Sequence, residues 1–296
     1  MIKNFIDTSG IECYKDVSLK KYNTYKIDAK AKYLVFPKDS VELISLIIYL
    51  KDNNCKFLVL GNGSNVIFNF EYYDGVIIRL DRFNSISIND NVIEVGAGYS
   101  LIKLANEVAL LGLSGLEFAS GIPGCVGASV AMNAGAYNHS LAEVVESVKV
   151  LTPDNEIITM TNDKLEFNYR ESFLKHNKDY IILSCKIILS HGNKEEILEL
   201  ISNRRIRRME SQPLTYPSAG SVFRNPEGNY AGKLIEDCGF KGYKLGGAMV
   251  SLKHANFIIN YDGATGRDIV LLINKIKNSV NEKYNIDLIL EQIIID

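Results

Sequence analysis

Residues 120–138 read SGIPGCVGASVAMNAGAYN, a run with four Gly and four Ala in which nearly every position is small. Backbone without side chains can lie against a polyanionic or planar ligand, or pack tightly against a neighbouring element. From this run alone both readings stand. GIPG is a rigid turn, and GASVAMNAGA can be a close-packed segment lying across a ligand. A second small-residue loop, LGNGSN at 60–65, directly follows the apolar run KFLV. Gly61 and Gly63 can take positive φ, which lets successive N–H groups point into one concavity that suits phosphate oxygens. A Gly/Asn turn between strands is the plain alternative. No Gly-Lys-Ser/Thr follows, so the loop is not a P-loop, and VIF after it reads as a strand rather than a helix. Two such loops in one domain favour a bound dinucleotide.

Composition narrows the class. The chain has 296 residues, 47 % hydrophobic and 23 % charged, with a formal net charge of −2. That length accommodates two domains, and that balance is ordinary for a globular protein. A near-neutral charge gives no field for nucleic acid or an anionic membrane. The longest apolar runs are too short to span a bilayer, and the start lacks the features of a signal peptide. Cys13, Cys55, Cys125, Cys185 and Cys238 are odd in number and show no C-x-x-C, so a reducing cytoplasm is expected. The four His, at 139, 176, 191 and 254, have no ligand-like pairing, and no metal is expected.

The chain reads as mixed α and β. A strand over 33–37 stops at Pro37, and DSVELISLIIYLKDNN follows as a helix with Asp39 and Glu42 at capping-box spacing. Further strands fall at KFLVLG, GVIIRL and NVIEVGAG. SLIKLANEVALLGL is a helix with Ser100 as N-cap and Leu101, Leu104, Ala105, Val108 and Leu111 on one face. VVESVKVL and EIITM form a hairpin through PDN, and YIILSCKIILS is a buried strand. From residue 193 the pattern changes to a charged helix, a Pro/Gly/Ser-rich stretch, a second helix–strand set and a final strand DLILEQIIID. A domain boundary is expected near residue 195.

Four further features carry possible chemistry. In FNYRESF, Arg170 sits between Tyr169 and Phe173, a setting that suits a carboxylate or phosphate gripped by two hydrogen bonds. Stacking on an aromatic ring or pairing with Glu171 is the plain reading. Glu291, read on a strand, shares its face with Ile289, Ile293 and Ile295; a carboxylate in such a row is costly unless paired. A strand-end residue reaching water is the alternative. Ser221 in SAGSVFRNP has no G-x-S-x-G context, so a hydrolase nucleophile is poorly supported. A placed hydroxyl can still hand a proton to carbon, whereas a plain Ser caps a turn. RRIRR at 204–208 could grip phosphates, or form a solvated helix balanced by Glu195, Glu196, Glu199 and Glu210.

In series, these landmarks resemble one family, the UDP-N-acetylenolpyruvoylglucosamine reductases, also called UDP-N-acetylmuramate dehydrogenases. The matching stretches run in the family's order from NTYKIDAKAKYLVFP through LGNGSN, GIPGCVGASVAMNAGAYN, YRESF and PSAGSVFRNP to LIEDCGFKGYKLGGAMVSLKHANFIIN and LEQ. The short spacing from Arg170 to Ser221 resembles the compact type that lacks an inserted substrate loop. Cys125 departs from the small hydroxyl residue common there, and the chain ends without the Gly-containing tail often seen in the family.

The resemblance implies an α+β (α/β mixed) fold: a split two-lobed FAD-binding domain of the vanillyl-alcohol-oxidase (PCMH) type over 1–195, with lobes of about 1–70 and 71–195, and a C-terminal α/β substrate domain over 196–296. It implies non-covalent FAD, held by Gly61, Asn62, Gly63, Ser64, Asn65, Ser120, Gly121, Ile122, Pro123, Gly124, Gly127, Gly135, Ala136 and Tyr137. It implies an FAD-dependent NADPH oxidoreductase of peptidoglycan precursor synthesis whose small-molecule substrate is UDP-N-acetylglucosamine enolpyruvate. Arg170, Ser221 and Glu291 are then catalytic, with Tyr169, Asn225 and Arg208 binding substrate. A cytoplasmic monomer with no nucleic-acid or membrane partner is expected. The rival readings are another flavoenzyme of the same fold and a non-catalytic nucleotide binder. The Arg170, Ser221 and Glu291 set argues against the first, and the near-neutral charge against the second.

Overall fold

A computed structural model describes residues 2–296. Its two compact units do not follow one cut in the chain. The first takes the chain up to Lys15, Tyr33–Gly61 and Asp74–Ile206; the second takes Asp16–Lys32, Asn62–Tyr73 and Arg207–Asp296. The helix Lys194–Ser211 carries the chain from the first unit into the second, and the compositional change near residue 195 marks where that helix starts.

The first unit is built around a five-stranded antiparallel sheet in the order Ile157–Thr161, Val145–Leu151, Ile181–Ile188, Val92–Gly96, Ile86–Asn89. The hairpin through PDN is present, with Asn155 at φ +65°, a left-handed position that Asn tolerates. Val148, Val150, Ile182, Cys185 and Ile187 meet Leu101, Leu104, Ala105 and Val108 of the helix Leu101–Leu110 in one core. Burial pushes the Cys185 thiol up to about 12, so this Cys behaves as a small hydrophobe. Ser100 caps the helix by accepting from the Lys103 amide. Leu111, expected on the buried face, is instead 59 % exposed; the helix ends at Leu110 and Gly112, at φ +73°, turns the chain away.

A second core in this unit lies under the helix Ser40–Asp52. Its Leu43, Leu46, Ile47 and Leu50 pack on Val35, Val76, Ile78 and Leu183. Each such side chain contributes about 1.5–3 kcal/mol on burial. Asp39 caps the helix by accepting from the Glu42 amide at 2.9 Å, but Glu42 reaches back to the Lys38 amide, also at 2.9 Å, not to that of Asp39. The cap is therefore one-way rather than a reciprocal box. Strand Phe57–Val59 runs parallel to Tyr72–Ile78 and delivers the chain to residue 60.

In the second unit, strands Lys244–Leu245, Ala248–Val250 and Ile258–Asn260 form an antiparallel sheet. The helix Gly266–Tyr284 opens with a full capping box between Thr265 and Asp268 and buries Ile269, Leu272, Ile273, Ile276 and Val280. The expected final strand over 287–296 is interrupted. Leu290 makes a single antiparallel bridge to Phe223, and the strand proper is Ile293–Ile295, parallel to Val66–Phe68. The bend lies at Gln292, whose side chain is 3 % exposed and donates to the carbonyls of Ala219 and Gly220 at 3.0 and 3.2 Å. Among the described residues, no helix is long and apolar enough to cross a membrane.

Candidate active site

The loop 60–65 is fixed by its carbonyls. Arg79, 7 % exposed, donates to the Gly61 carbonyl at 2.7 Å while its other edge holds Asp81. The Gly63 carbonyl accepts from the Thr24 amide at 3.0 Å. In a planar trans peptide the carbonyl and the next N–H point oppositely. The Asn62 and Ser64 amides are thus directed away from the groups that hold the loop, a donor set suited to a pyrophosphate. Gly63 has φ +63°, and a Cβ there would stand 2.2 Å from the Tyr22 carbonyl oxygen, so no other residue fits without rebuilding the turn.

The second small-residue run contains a short helix, Val126–Ala131, and a two-residue turn between Gly135–Ala136 and His139–Ser140. Its small size is used against protein as much as it is available to a ligand. A Cβ on Gly127 would meet Ala97 at 2.8 Å, and one on Gly135 would meet the His139 carbonyl at 2.3 Å. The Val126 and Gly127 amides bond to the carbonyls of Tyr99 and Ala97. The two loops approach each other, since a Cβ on Gly61 would lie 2.7 Å from that of Ala128 and 3.2 Å from Cys125 Sγ. Ser120 donates to the Glu117 carbonyl, and Ile122 donates its amide to Ala119. Gly121 is half-buried, Pro123 exposed and Gly124 buried. Tyr137 occupies the turn at φ +57°, its hydroxyl donating to the Arg204 carbonyl at 3.3 Å and its ring under the Arg204 guanidinium at 4.5 Å.

Arg170 lies in the same unit, on a two-residue turn closed by reciprocal backbone hydrogen bonds between Asn168 and Glu171, both 3.0 Å. Its φ is +57°, a conformation that costs a non-Gly residue roughly 1–2 kcal/mol. Such strain persists where surrounding contacts over-determine it, commonly at functional sites. Here the guanidinium donates to the Gly135 carbonyl at 2.6 Å and lies 5.3 Å from the ring centre of Tyr169, itself 52 % exposed.

Ser221 and Glu291 belong to the second unit, where the structure brings their backbones together. The bridge from Phe223 to Leu290, with the Glu291 amide donating to the Val222 carbonyl at 2.8 Å, places them on adjacent rungs. Asn256, 4 % exposed, clamps the other side of this segment through the amide and carbonyl of Phe223. Ser221 follows Gly220 at φ +77° and is half-buried. Glu291 is half-buried too, but not in an apolar row: Ile289 is 60 % exposed, and the bend at Gln292 separates Glu291 from Ile293. Asn65 ties in from the first loop, donating from its side chain to the Glu291 carbonyl at 3.1 Å and accepting from the Ile293 amide.

Asn225 is exposed and accepts from the Ala231 amide at the start of the helix Ala231–Asp237. Arg208 donates twice to Gln212 one turn on, at 3.2 and 3.0 Å. Sequence reading missed Gln292, Tyr25, Asn256 and Arg79. The Tyr25 phenol, fully buried, donates to Gln292 at 3.0 Å, and its burial pushes its ionisation well above the ordinary range. Only Arg79 carried a sequence signal, as the lone charge at the end of the apolar run GVII.

Comparison with known proteins matches this arrangement to a family. A family model described as UDP-N-acetylenolpyruvoylglucosamine reductase, C-terminal domain, matches residues 212–295, and one described as FAD binding domain matches 31–161. The reductase of Caldanaerobacter subterraneus is 43 % identical over 278 residues, covering 94 % of this chain and 92 % of its own. That of Lactobacillus helveticus is 42 % identical over 279 residues, covering 94 % and 93 %. The solved UDP-N-acetylenolpyruvylglucosamine reductase of Thermus caldophilus superposes with a TM-score of 0.82 at 34 % identity, covering 97 % of this chain and 99 % of that one. A berberine bridge enzyme variant shares only the fold, with a TM-score of 0.50 at 14 % identity over 66 % of this chain and 44 % of its own. The FAD-binding fold that the family resemblance implies is therefore present, and the donor set of the loop 60–65 suits a pyrophosphate such as the cofactor carries. With relatives this similar over almost its whole length, the chain belongs to the UDP-N-acetylenolpyruvoylglucosamine reductase family.

Proposed function

We propose that this chain is an FAD-dependent enzyme that uses NADPH to reduce the enolpyruvyl group of UDP-N-acetylglucosamine enolpyruvate, giving UDP-N-acetylmuramate for peptidoglycan synthesis. The observation that carries this reading is identity of 43 % to a named reductase across 94 % of the chain.

Bound FAD supplies two-electron transfer, taking reducing equivalents from NADPH and passing them to the enolpyruvyl double bond. The chain's own groups do the rest. The amides of the loop 60–65 hold the cofactor's pyrophosphate, and the main chain of the segments 120–124 and 135–137 lies alongside it. Arg170, already committed to one orientation by Gly135 and Tyr169, grips the substrate carboxylate. Its charge stabilises the enolate-like negative charge that builds there, and Glu291 assists as an acid that donates a hydrogen bond to it through a carboxyl O–H, an effect worth more in a pre-arranged site than in water. Ser221 delivers a proton from Oγ to the adjacent carbon and is re-protonated from its surroundings. Tyr169, Asn225 and Arg208 bind the remainder of the substrate. In chain order the FAD-binding part spans 1–195 and the substrate part 196–296, which the family matches at 31–161 and 212–295 support, while Asp16–Lys32 and Asn62–Tyr73 pack in the same compact unit as Arg207–Asp296. The enzyme acts in the cytoplasm as a monomer.

The deciding assay is NADPH oxidation by the purified yellow protein with and without the enolpyruvyl nucleotide. Oxidation that ignores the nucleotide would sink this reading. Acid precipitation should release the colour into the supernatant if FAD is held without a covalent tether.

A further inference from the structure

Arg170 works from a backbone conformation that its own Cβ disfavours, so something must hold it there. The turn 168–171 has three anchors. Its ends bond to each other. Asn133, 3 % exposed, donates from its side chain to the Asn168 carbonyl at 2.8 Å and accepts from the Ala142 amide at 3.0 Å. The third anchor is Lys175, whose ammonium donates to the Arg170 carbonyl oxygen at 2.9 Å and to Glu171 Oε1 at 3.0 Å.

Lys175 is not an ordinary surface partner of Glu171. Its side chain is only 16 % exposed, whereas a solvated pair one turn apart would leave the ammonium in water. Its position is set by Ser172, which caps the short helix Phe173–His176. The Ser172 hydroxyl accepts from the Lys175 amide at 3.2 Å and donates to the Ala131 carbonyl at 2.6 Å. Glu171, held from its other oxygen by His176 at 2.5 Å, offsets the repulsion between Lys175 and Arg170. The carbonyl that Lys175 holds fixes ψ of Arg170. Releasing it lets the residue relax toward negative φ and swing its guanidinium off Gly135.

We propose that Lys175 is a positioning residue for Arg170: by pinning the Arg170 carbonyl, its ammonium keeps the guanidinium aimed for the substrate carboxylate. This rests on the catalytic role proposed above for Arg170.

The test is a double-mutant cycle of Lys175→Met and Arg170→Lys, read by flavin absorbance in rapid mixing. Lys175→Met should bind FAD, melt within about 4 °C of wild type and be reduced by NADPH at the normal rate. Its reoxidation by the enolpyruvyl nucleotide should slow about 10–100-fold, and nucleotide binding to the oxidised protein should weaken roughly tenfold. In the Arg170→Lys background the Met substitution should add less than about twofold, because the two residues act as one unit. Lys175→Arg, which keeps a donor for the carbonyl, should recover most of the rate. Multiplicative losses in the cycle, a Met variant that sheds FAD or melts about 10 °C lower, or an Arg variant as slow as the Met one would each overturn the proposal. A wild type and Arg170→Lys that behave as expected, with Lys175→Met normal, would overturn this inference alone. A wild type whose reduced flavin ignores the nucleotide would overturn the functional reading and this inference with it.

Discussion

The guanidinium of Arg170 and the carbonyl oxygen of Gly135 stand 2.6 Å apart, joining the strained turn 168–171 to the small-residue run 120–138. A Lys at 170 would keep the charge but lose the planar fork that can hold one carbonyl and still present an edge to a carboxylate. Arg170→Lys should therefore melt close to wild type while nucleotide-driven flavin reoxidation slows by about two orders of magnitude or more. Matching losses in melting temperature and rate would assign Arg170 to the fold.

The left-handed backbone at 170 makes a separate statement about stability. Arg170→Ala and Arg170→Gly both remove the side chain, but only Ala keeps the Cβ that disfavours φ +57°. The Gly variant should be the more stable of this inactive pair by about 1 kcal/mol in chemical denaturation. An Ala variant as stable as the Gly one would mean that position 170 stores no strain.

The sequence was readable where local chemistry and burial agree. Ser100 and Asp39 cap the helices that their hydroxyl and carboxylate announce, and VVESVKVL pairs with EIITM through Asn155 as the turn residues dictate. The family order of motifs brought out Arg170, Ser221 and Glu291. What it could not disclose depends on contacts made far along the chain. LILEQIII reads as one continuous strand, yet it breaks where Gln292 turns inward to serve the carbonyls at 219 and 220 and the phenol of Tyr25, 267 residues away. Likewise, nothing in SGIPGCVGASVAMNAGAYN separates small residues that face protein from those that face a ligand. At Gly127 and Gly135 the neighbouring atoms belong to protein.

His254 gives the second unit a pH-dependent contribution. Burial, reinforced by the charge of Lys241, holds its imidazole below the ordinary value of 6.5, with Glu236 opposing. Its ring packs against Phe257, and Nδ1 accepts from the Asn256 amide at 3.2 Å. The unfolded chain thus binds a proton that the folded one resists. The stabilisation is complete above about pH 6.5 and is lost as pH falls through the lower folded value. Wild type should lose melting temperature between about pH 7.5 and about pH 5.5, and His254→Asn, which keeps an acceptor for Asn256, should lose a few degrees less. Parallel curves for the two proteins would remove His254 from the account.

Ser221 offers the sharpest separation of chemistry from architecture. Its backbone is held from both sides, by Gln292 on the carbonyls of Ala219 and Gly220 and by Asn256 and Glu291 on the segment 222–223. The position of the residue therefore does not depend on its hydroxyl, and Ser221→Ala should leave the fold and FAD binding unchanged. Reduction of the flavin by NADPH needs no proton on carbon, so bleaching of the visible band should proceed near the wild-type rate. Recovery of colour on adding the enolpyruvyl nucleotide should slow by about 10²–10⁴-fold, the range a positioned acid supplies. Ser221→Cys should retain part of the rate, since a thiol can also donate a proton. If Ala slows bleaching and recovery alike, the hydroxyl shapes a region that both reactants use. If it slows neither, Ser221 only closes the turn after Gly220, and the proton comes from another group.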